Sequence, residues 1–170
     1  MWIKNDTMYI HTPDYYDIKV TKVASFDLDW TLVKPAYGKF PKDQTDNVFM
    51  DNRVKVLKSY ITSGYSIVIF TNQKITPRET LVKKLARMDD VINKLKSVDI
   101  NVILFMSTAE DNYRKPNTGM WVAMFKLLSG INLGFYCGDA AGRPGDFSDS
   151  DKQFAKNCNI QFYTPEEIFG

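Results

Sequence analysis

The sequence predicts an α/β fold, a mostly parallel sheet flanked by helices, and three observations predict it. Short apolar runs alternate along the chain with segments of helical period. The runs are rich in β-branched and aromatic residues and read as strands buried on both faces. Each run ends in a cluster drawn from Asp, Thr, Asn, Gly and Lys. Strand–helix alternation builds parallel sheets, and ligands of such sheets sit outside the carboxyl ends of the strands. The polar run-ends therefore share one predicted location.

Taken in order, residues 1–20 read as an irregular or short-stranded lead-in, with His11-Thr12-Pro13-Asp14 as turn chemistry. Val23 to Phe26 is a short buried strand, followed by a turn-rich segment from Lys34 to Asn47 that holds Pro35, Gly38 and Pro41. Asp51 is expected to cap a helix whose Val54, Leu57 and Ile61 share a face, and Gly64 to end it. Tyr65 to Phe70 is a second strand. Pro77 to about Ser97 is a longer helix, with Leu81, Leu85, Met88, Ile92 and Leu95 at helical spacing. Asn101 to Met106 is a third strand. Pro116 opens a helix with Met120, Trp121, Met124, Phe125 and Leu128 inside. Leu133 to Cys137 is a fourth strand, and Thr164-Pro165-Glu166-Glu167 starts a short terminal helix.

The chain has 170 residues, enough for one compact domain. No repeat, low-complexity tract or linker divides it, so residues 1–170 are read as one domain, with 1–20 as lead-in and 21–170 as core. With a formal charge of +2, no general nucleic-acid affinity follows from charge alone, and any basic footprint must be local. Two cysteines make no disulfide framework, and one histidine leaves too few soft ligands for zinc. No apolar run approaches the roughly 20 residues of a membrane span, and no signal peptide is seen. The expected setting is a reducing intracellular compartment, nuclear or cytoplasmic, with no membrane and no secretion.

Four run-ends carry chemistry: Asp27-Leu28-Asp29-Trp30-Thr31, Thr71-Asn72-Gln73, Arg114-Lys115-Pro116 and Gly138-Asp139. Asp27 and Asp29, two apart in extended backbone, point the same way. Two such charges about 4 Å apart repel by roughly 4 kcal/mol at an intermediate dielectric. A hard divalent cation relieves this best, and Mg²⁺ prefers oxygen ligands. Asp139 is the natural further ligand, and Lys115 the cation that lets a carboxylate approach a phosphate dianion. Thr71 and the Thr71-Asn72 backbone offer donors to phosphoryl oxygens. The roles then separate: Asp27 as nucleophile, Asp29 as general acid and then base, and Thr31 steadying the loop or Asp29.

These residues resemble the haloacid dehalogenase (HAD) superfamily of phosphatases, and within it the DNA 3′-phosphatase domain of the polynucleotide kinase 3′-phosphatase family. The similarity runs from about Phe26 to Phe169. The Tyr113-Arg114-Lys115-Pro116-x-Thr118-Gly119-Met120-Trp121 and Gly138-Asp139-Ala140-Ala141-Gly142-Arg143-Pro144 strings are its most specific parts. The resemblance implies a Rossmann-like domain without a large cap and a Mg²⁺-dependent phosphatase of DNA 3′ ends, acting in end repair through an aspartyl-phosphate. It implies Asp27 as nucleophile, Asp29 as acid, Thr71 and Lys115 on phosphate, and Arg78 and Arg114 towards the DNA strand; Thr31 and Asn72 are counted with these last two as substrate-binding candidates. Mg²⁺ would be held by Asp27, the Asp29 carbonyl and Asp139, with Asp146 assisting through water. A monomer is expected, with separate kinase or ligase repair partners left open.

Three departures stand out. Trp30 replaces the family's usual glycine, and its ring is expected to pack against the flap, with stacking on a terminal base as the alternative. Lys74-Ile75-Thr76-Pro77 replaces a Gly-rich segment before Arg78. No Gly-x-x-x-x-Gly-Lys-[Ser/Thr] string is present, so no 5′-kinase activity is expected. The rival readings are a capless phosphatase of a small phosphorylated metabolite and an end-binding module without activity. Plain structural roles are expected for others: Asp149 and Asp151 as helix caps, and Arg87 with Lys83-Lys84 as a solvated helix face.

Overall fold

The computed structural model describes residues 1–170. Its elements in order are β1 (Trp2–Asn5), β2 (Met8–His11), β3 (Lys22–Phe26), β4 (Val33–Lys34), β5 (Val48–Phe49), α1 (Arg53–Thr62) and β6 (Tyr65–Asn72). There follow α2 (Leu81–Lys96), β7 (Val102–Ser107), α3 (Gly119–Leu127), β8 (Leu133–Cys137), α4 (Ser150–Asn157), β9 (Gln161–Tyr163) and α5 (Pro165–Phe169).

Seven strands form one sheet in the order β1-β2-β7-β6-β3-β8-β9. From β7 to β9 all pairings are parallel. β1 and β2 form a hairpin that continues the sheet antiparallel from β7. The lead-in is thus an edge of the main sheet, and Trp2 Nε1 fastens it to α2 by donating to Asp89 Oδ1 at 2.9 Å. The chain runs from β3 outward through β6 and β7, then returns to lay β8 on the other side of β3. That reversal makes the end of β3 the switch point where a crevice opens.

Both faces are covered, as the charge-free strand runs require. On one face Phe26, Ile69 and Leu104 pack with Leu57 of α1, Met88, Val91 and Leu95 of α2, and Phe169 of α5. On the other, Val23, Val68, Phe70 and Phe105 pack with Met120 and Met124 of α3 and Phe154 of α4. Each fully buried large apolar side chain stabilises the fold by about 1.5–3 kcal/mol relative to exposure. No helix is long and apolar enough to cross a membrane.

Helix starts differ from the sequence expectation for local reasons. Asp51 does not cap α1; Asn52 occupies the N-cap position in the left-handed region, φ 68°, with no side-chain cap bond. α2 begins at Leu81, not Pro77, because Thr80 Oγ1 accepts the Lys83 N–H and makes the start there. α3 begins at Gly119, so Pro116 stands in the turn before it, after a cis Lys115–Pro116 bond. The terminal helix has the expected start: Thr164 and Glu167 form a capping box with Pro165 in the first turn.

The segment between β4 and β5 is a flap closed on itself and stapled to α2. Asp46 accepts the Ala36 and Lys42 N–H groups, each at 2.9 Å. Asn47 donates to Asp90 at 2.8 Å, and Lys94 donates to the Thr45 and Asn47 carbonyls at 2.8 and 3.1 Å. The flap tip leaves Tyr37 and Phe40 more than four-fifths exposed, at 89% and 83%.

Candidate active site

β3 pairs Phe26 with Ile69 of β6 and with Cys137 of β8. Asp27 leaves β3 still tied to the sheet, its N–H donating to the Cys137 carbonyl at 2.9 Å. It emerges between the Thr71-Asn72 end of β6 and the Gly138-Asp139 segment after β8. Lys115 arrives from the loop after β7, and the Asn72 side chain holds its backbone: Oδ1 accepts the Lys115 N–H at 2.9 Å and Nδ2 donates to the Lys115 carbonyl at 3.1 Å. Asn72 is therefore spent on placing Lys115.

Lys115 is 3% exposed, and its ammonium has three donors to give. They go to Asp27 Oδ1 at 2.8 Å, Asp151 Oδ1 at 2.9 Å and the Tyr136 hydroxyl at 2.7 Å. Tyr136 donates in turn to Asp151 Oδ1 at 2.7 Å, and Asp151 Oδ2 accepts the Ala140 N–H at 3.0 Å. Asp151 is thus a site residue, 2% exposed, and not the helix cap expected of it. The reason is its helical face, which it shares with buried Phe154 and Ala155 at i+3 and i+4.

Thr31 is fully buried beneath the carboxylates. Its hydroxyl donates to Asp27 Oδ2 at 3.1 Å and accepts the Asp139 N–H at 3.0 Å, tying the β3 turn to the β8 loop. Thr71, also buried, accepts from Gln73 Nε2 at 2.8 Å. Gln73 Nε2 also donates to Asp29 Oδ2 at 2.8 Å, and its Oε1 accepts from Lys84 at 3.2 Å. Asp29 is gripped by the Arg87 guanidinium, which bonds both of its carboxylate oxygens and reaches Asn47 Oδ1 of the flap through Nε at 2.8 Å. The expected solvated face of α2 is therefore corrected at Arg87, which is 8% exposed and faces the site. Arg78 is exposed in the loop before α2 and Arg114 is half-buried beside Lys115; neither guanidinium bonds within the chain. Asp146 sits in its own turn, accepting from the Arg143 side chain and from the Ala141 and Arg143 N–H groups.

The charges are uneven. Asp27, Asp139 and Asp151 each bring an oxygen within 4.8 Å of the others. Burial, Asp151 and Asp139 push the Asp27 carboxyl well above the usual carboxylate range, against the pull of Lys115. Burial and Asp151 likewise raise Asp139. For Lys115, burial works against the charge, but Asp151 and Asp27 outweigh it and hold the ammonium above its usual range. Burial would also raise Asp29, yet Arg87 and Gln73 prevail and hold it low, so the resting Asp29 is a carboxylate. With all three ionised, the carboxylates exceed the one ammonium by two negative charges, the excess that a divalent cation balances. Neither cysteine competes as a nucleophile: burial pushes the Cys137 thiol far up and the Cys158 thiol up to about 12.

Gly138 has no room for a side chain. A Cβ there would lie 2.4 Å from Asp151 Cγ and Oδ2. Gly138→Ala should displace Asp151, destabilise the fold by about 1–3 kcal/mol and lower any activity that depends on Lys115. Urea unfolding beside steady-state rates checks this, and a variant as stable and active as wild type would refute it.

The turn at 28–33 also contains Trp30, whose backbone takes the left-handed conformation itself, φ 62°. That costs a residue with a β-carbon about 1–2 kcal/mol.

A family profile described as polynucleotide kinase 3 phosphatase matches residues 22–169. The chain is 39% identical over 174 residues to a bifunctional polynucleotide phosphatase/kinase of Schizosaccharomyces pombe, covering 99% of this chain and 42% of that protein. It is 38% identical over 178 residues to an uncharacterized 20.8 kDa protein of Autographa californica nuclear polyhedrosis virus, covering 94% of each. With a polynucleotide 3′-phosphatase of Saccharomyces cerevisiae it shares 31% identity over 207 residues, 86% of this chain and 87% of that one. The chain thus spans less than half of the fission yeast relative and nearly all of the viral one.

Among solved structures, a putative HAD-like phosphatase from Mesorhizobium loti superposes with a TM-score of 0.76 at 18% identity, over 93% of this chain and 78% of that one. A D,D-heptose 1,7-bisphosphate phosphatase from B. bronchiseptica, complexed with magnesium and phosphate, gives 0.63 at 17% identity, over 88% and 85%. At these identities the likeness is one of fold.

Proposed function

We propose a function from one premise: the chain belongs to the polynucleotide kinase 3 phosphatase family. It is a phosphatase that removes the phosphate from 3′-phosphorylated DNA ends, with Mg²⁺ as cofactor and an aspartyl-phosphate on Asp27 as intermediate. The observation that carries this reading is the setting of Asp27, a buried carboxylate 2.8 Å from the Lys115 ammonium and crowded by two further carboxylates.

The donor set fits Mg²⁺, which takes hard oxygen ligands. Asp151 already accepts three hydrogen bonds, from Lys115, Tyr136 and the Ala140 N–H, so Asp27 and Asp139 are the side chains with more oxygen to give. The Asp29 carbonyl accepts no hydrogen bond from the chain and can complete the protein's share. When bound, Mg²⁺ neutralises the carboxylates and the phosphoryl oxygens, so that one anion can approach another.

An Asp27 oxygen attacks phosphorus, and the bond from phosphorus to the 3′ oxygen breaks with its electron pair on that oxygen. Asp29 supplies the proton that makes the leaving group a hydroxyl. Arrival of the phosphate dianion opposes the negative charge that Arg87 and Gln73 stabilise on Asp29, and so favours its protonated form. In the second step Asp29, again a carboxylate, takes a proton from water. The oxygen of that water bonds to phosphorus, the Asp27–phosphorus bond breaks, and inorganic phosphate leaves. Lys115 holds Asp27 aligned throughout. Arg78 and Arg114, with free guanidiniums, meet the strand.

The test is phosphate release from a 3′-phosphorylated DNA oligonucleotide, the same strand phosphorylated at its 5′ end, and small sugar phosphates. Preference for the 3′ end supports the reading; equal or better turnover of the sugar phosphates sinks it. Chelation of Mg²⁺ should abolish release and lower the melting temperature. Loss of a ligand held at 100 times its Kd removes about 2.7 kcal/mol of stability. A rate indifferent to chelator would refute the metal assignment.

A further inference from the structure

The turn that carries the acid also presents a ring. Between residues 28 and 33, Leu28, Thr31, Leu32 and Val33 are wholly buried, and only Asp29 and Trp30 reach solvent. Trp30 is 39% exposed, and its Nε1 donates to nothing in the chain. Trp2 Nε1, by contrast, is bonded to Asp89. The fold therefore leaves this indole partly open to solvent, in a turn whose backbone is left-handed at that residue.

The reaction itself fixes what must come close. Asp29 has to lie within hydrogen-bond reach of the leaving 3′ oxygen. That oxygen belongs to the terminal nucleotide, whose base is attached a few bonds away on the same sugar. Trp30 follows Asp29 directly, its Cα about 3.8 Å along the backbone, and it is the one other residue of the turn that reaches solvent. Exposed aromatic rings near lysines are the usual platform for nucleic-acid bases. The flap continues that character with exposed Lys34, Tyr37, Lys39, Phe40 and Lys42.

We infer that Trp30 stacks on the base of the terminal nucleotide, so that the site selects a 3′ end by its base as well as its phosphate. This rests on the 3′-phosphatase reading and adds to it a specificity-determining residue. The substrate class it names is a base-bearing end in preference to one whose terminal nucleotide has lost its base.

The experiment compares kcat/KM on a 3′-phosphorylated oligonucleotide with that on the same strand ending in a tetrahydrofuran abasic residue bearing the 3′-phosphate. Wild type should favour the base-bearing end on the order of 10- to 100-fold. Trp30→Phe should keep most of that ratio, and Trp30→Gly, which suits φ 62°, should bring it close to one. An unchanged ratio in folded Trp30→Gly overturns the inference alone. Hydrolysis of neither strand by wild type overturns the 3′-phosphatase reading and the inference with it. Should the glycine variant not fold, quenching of tryptophan fluorescence by the oligonucleotide decides: it should occur in Asp27→Asn and be largely lost in Asp27→Asn/Trp30→Phe. Equal quenching in both would overturn the inference.

Discussion

Asp27→Asn should abolish phosphate release, by about 10⁴-fold or more, while leaving the protein folded and, at neutral pH without Mg²⁺, at least as stable as wild type. The two halves of that expectation have one cause. Asp27 is buried among carboxylates, and its folded pKa is pushed above the unfolded value, which lies near 3.9. A carboxyl raised in this way carries no penalty below the unfolded value. It destabilises the fold increasingly as pH climbs from there towards the folded pKa. Asparagine removes the charge, and Lys115 retains Asp151 and Tyr136 as partners. The stability difference should therefore shrink as pH falls towards about 4 and be gone below it. Melting curves at several pH values, beside single-turnover phosphate release, check both halves. A folded asparagine variant that keeps the wild-type rate would remove Asp27 from the chemistry, and with it the covalent mechanism.

The place of Asp27 in the crevice was legible in the sequence because it directly follows a short buried strand, and the same signal located Thr71 and Asp139. The four central strands and their parallel sense were legible for a related reason: Val, Ile and Phe runs without charge have no stable place except between two layers of helices. The short edge strand β9 and the antiparallel β1–β2 hairpin were not. Legibility failed where a polar side chain sits on the inner face of an amphipathic helix. Arg87 lies four residues before buried Val91, next to Met88, and Asp151 lies three before Phe154. Charge type argued for solvent at both positions and helical phase argued for the interior. Phase prevailed because each charge meets an opposite one: Arg87 has Asp29, and Asp151 has Lys115. A stricter reading of period 3.6 would have placed both inside. The β4–β5 pairing and the stapling of the flap to α2 left no such trace. The flap is held by N–H groups that Asp46 accepts from within it and by side-chain bonds that Asn47 and Lys94 make across more than 40 positions of the chain.

Lys115→Met should be the most destabilising single change in the site, costing about 3–5 kcal/mol, because it leaves buried carboxylates without their cation. Lys115 is buried between Asp27 and Asp151, at 2.8 and 2.9 Å. Its folded pKa is raised, so its contribution is fully present below the unfolded lysine value near 10.4 and is lost only as pH rises through the folded one. At neutral pH the whole effect is expressed. Asp151→Asn keeps an acceptor for Lys115 and Tyr136 while removing one negative charge, and should cost much less. In the double variant Lys115→Met/Asp151→Asn the asparagine should recover part of the loss. The cycle should give a coupling of about 1–3 kcal/mol, as charged neighbours in one network do. Mg²⁺ should restore stability to Lys115→Met, since a divalent cation answers the same excess of negative charge, but not its rate. A cation between Asp27 and Asp139 cannot replace the hydrogen bond that aligns Asp27 for attack, and loss of such a preorganised donor costs about 10²–10³-fold. Additive stabilities in the cycle would show that Lys115 and Asp151 act independently. Recovery of rate together with stability would show that Lys115 supplies only charge, and the aligning role assigned to it would fall.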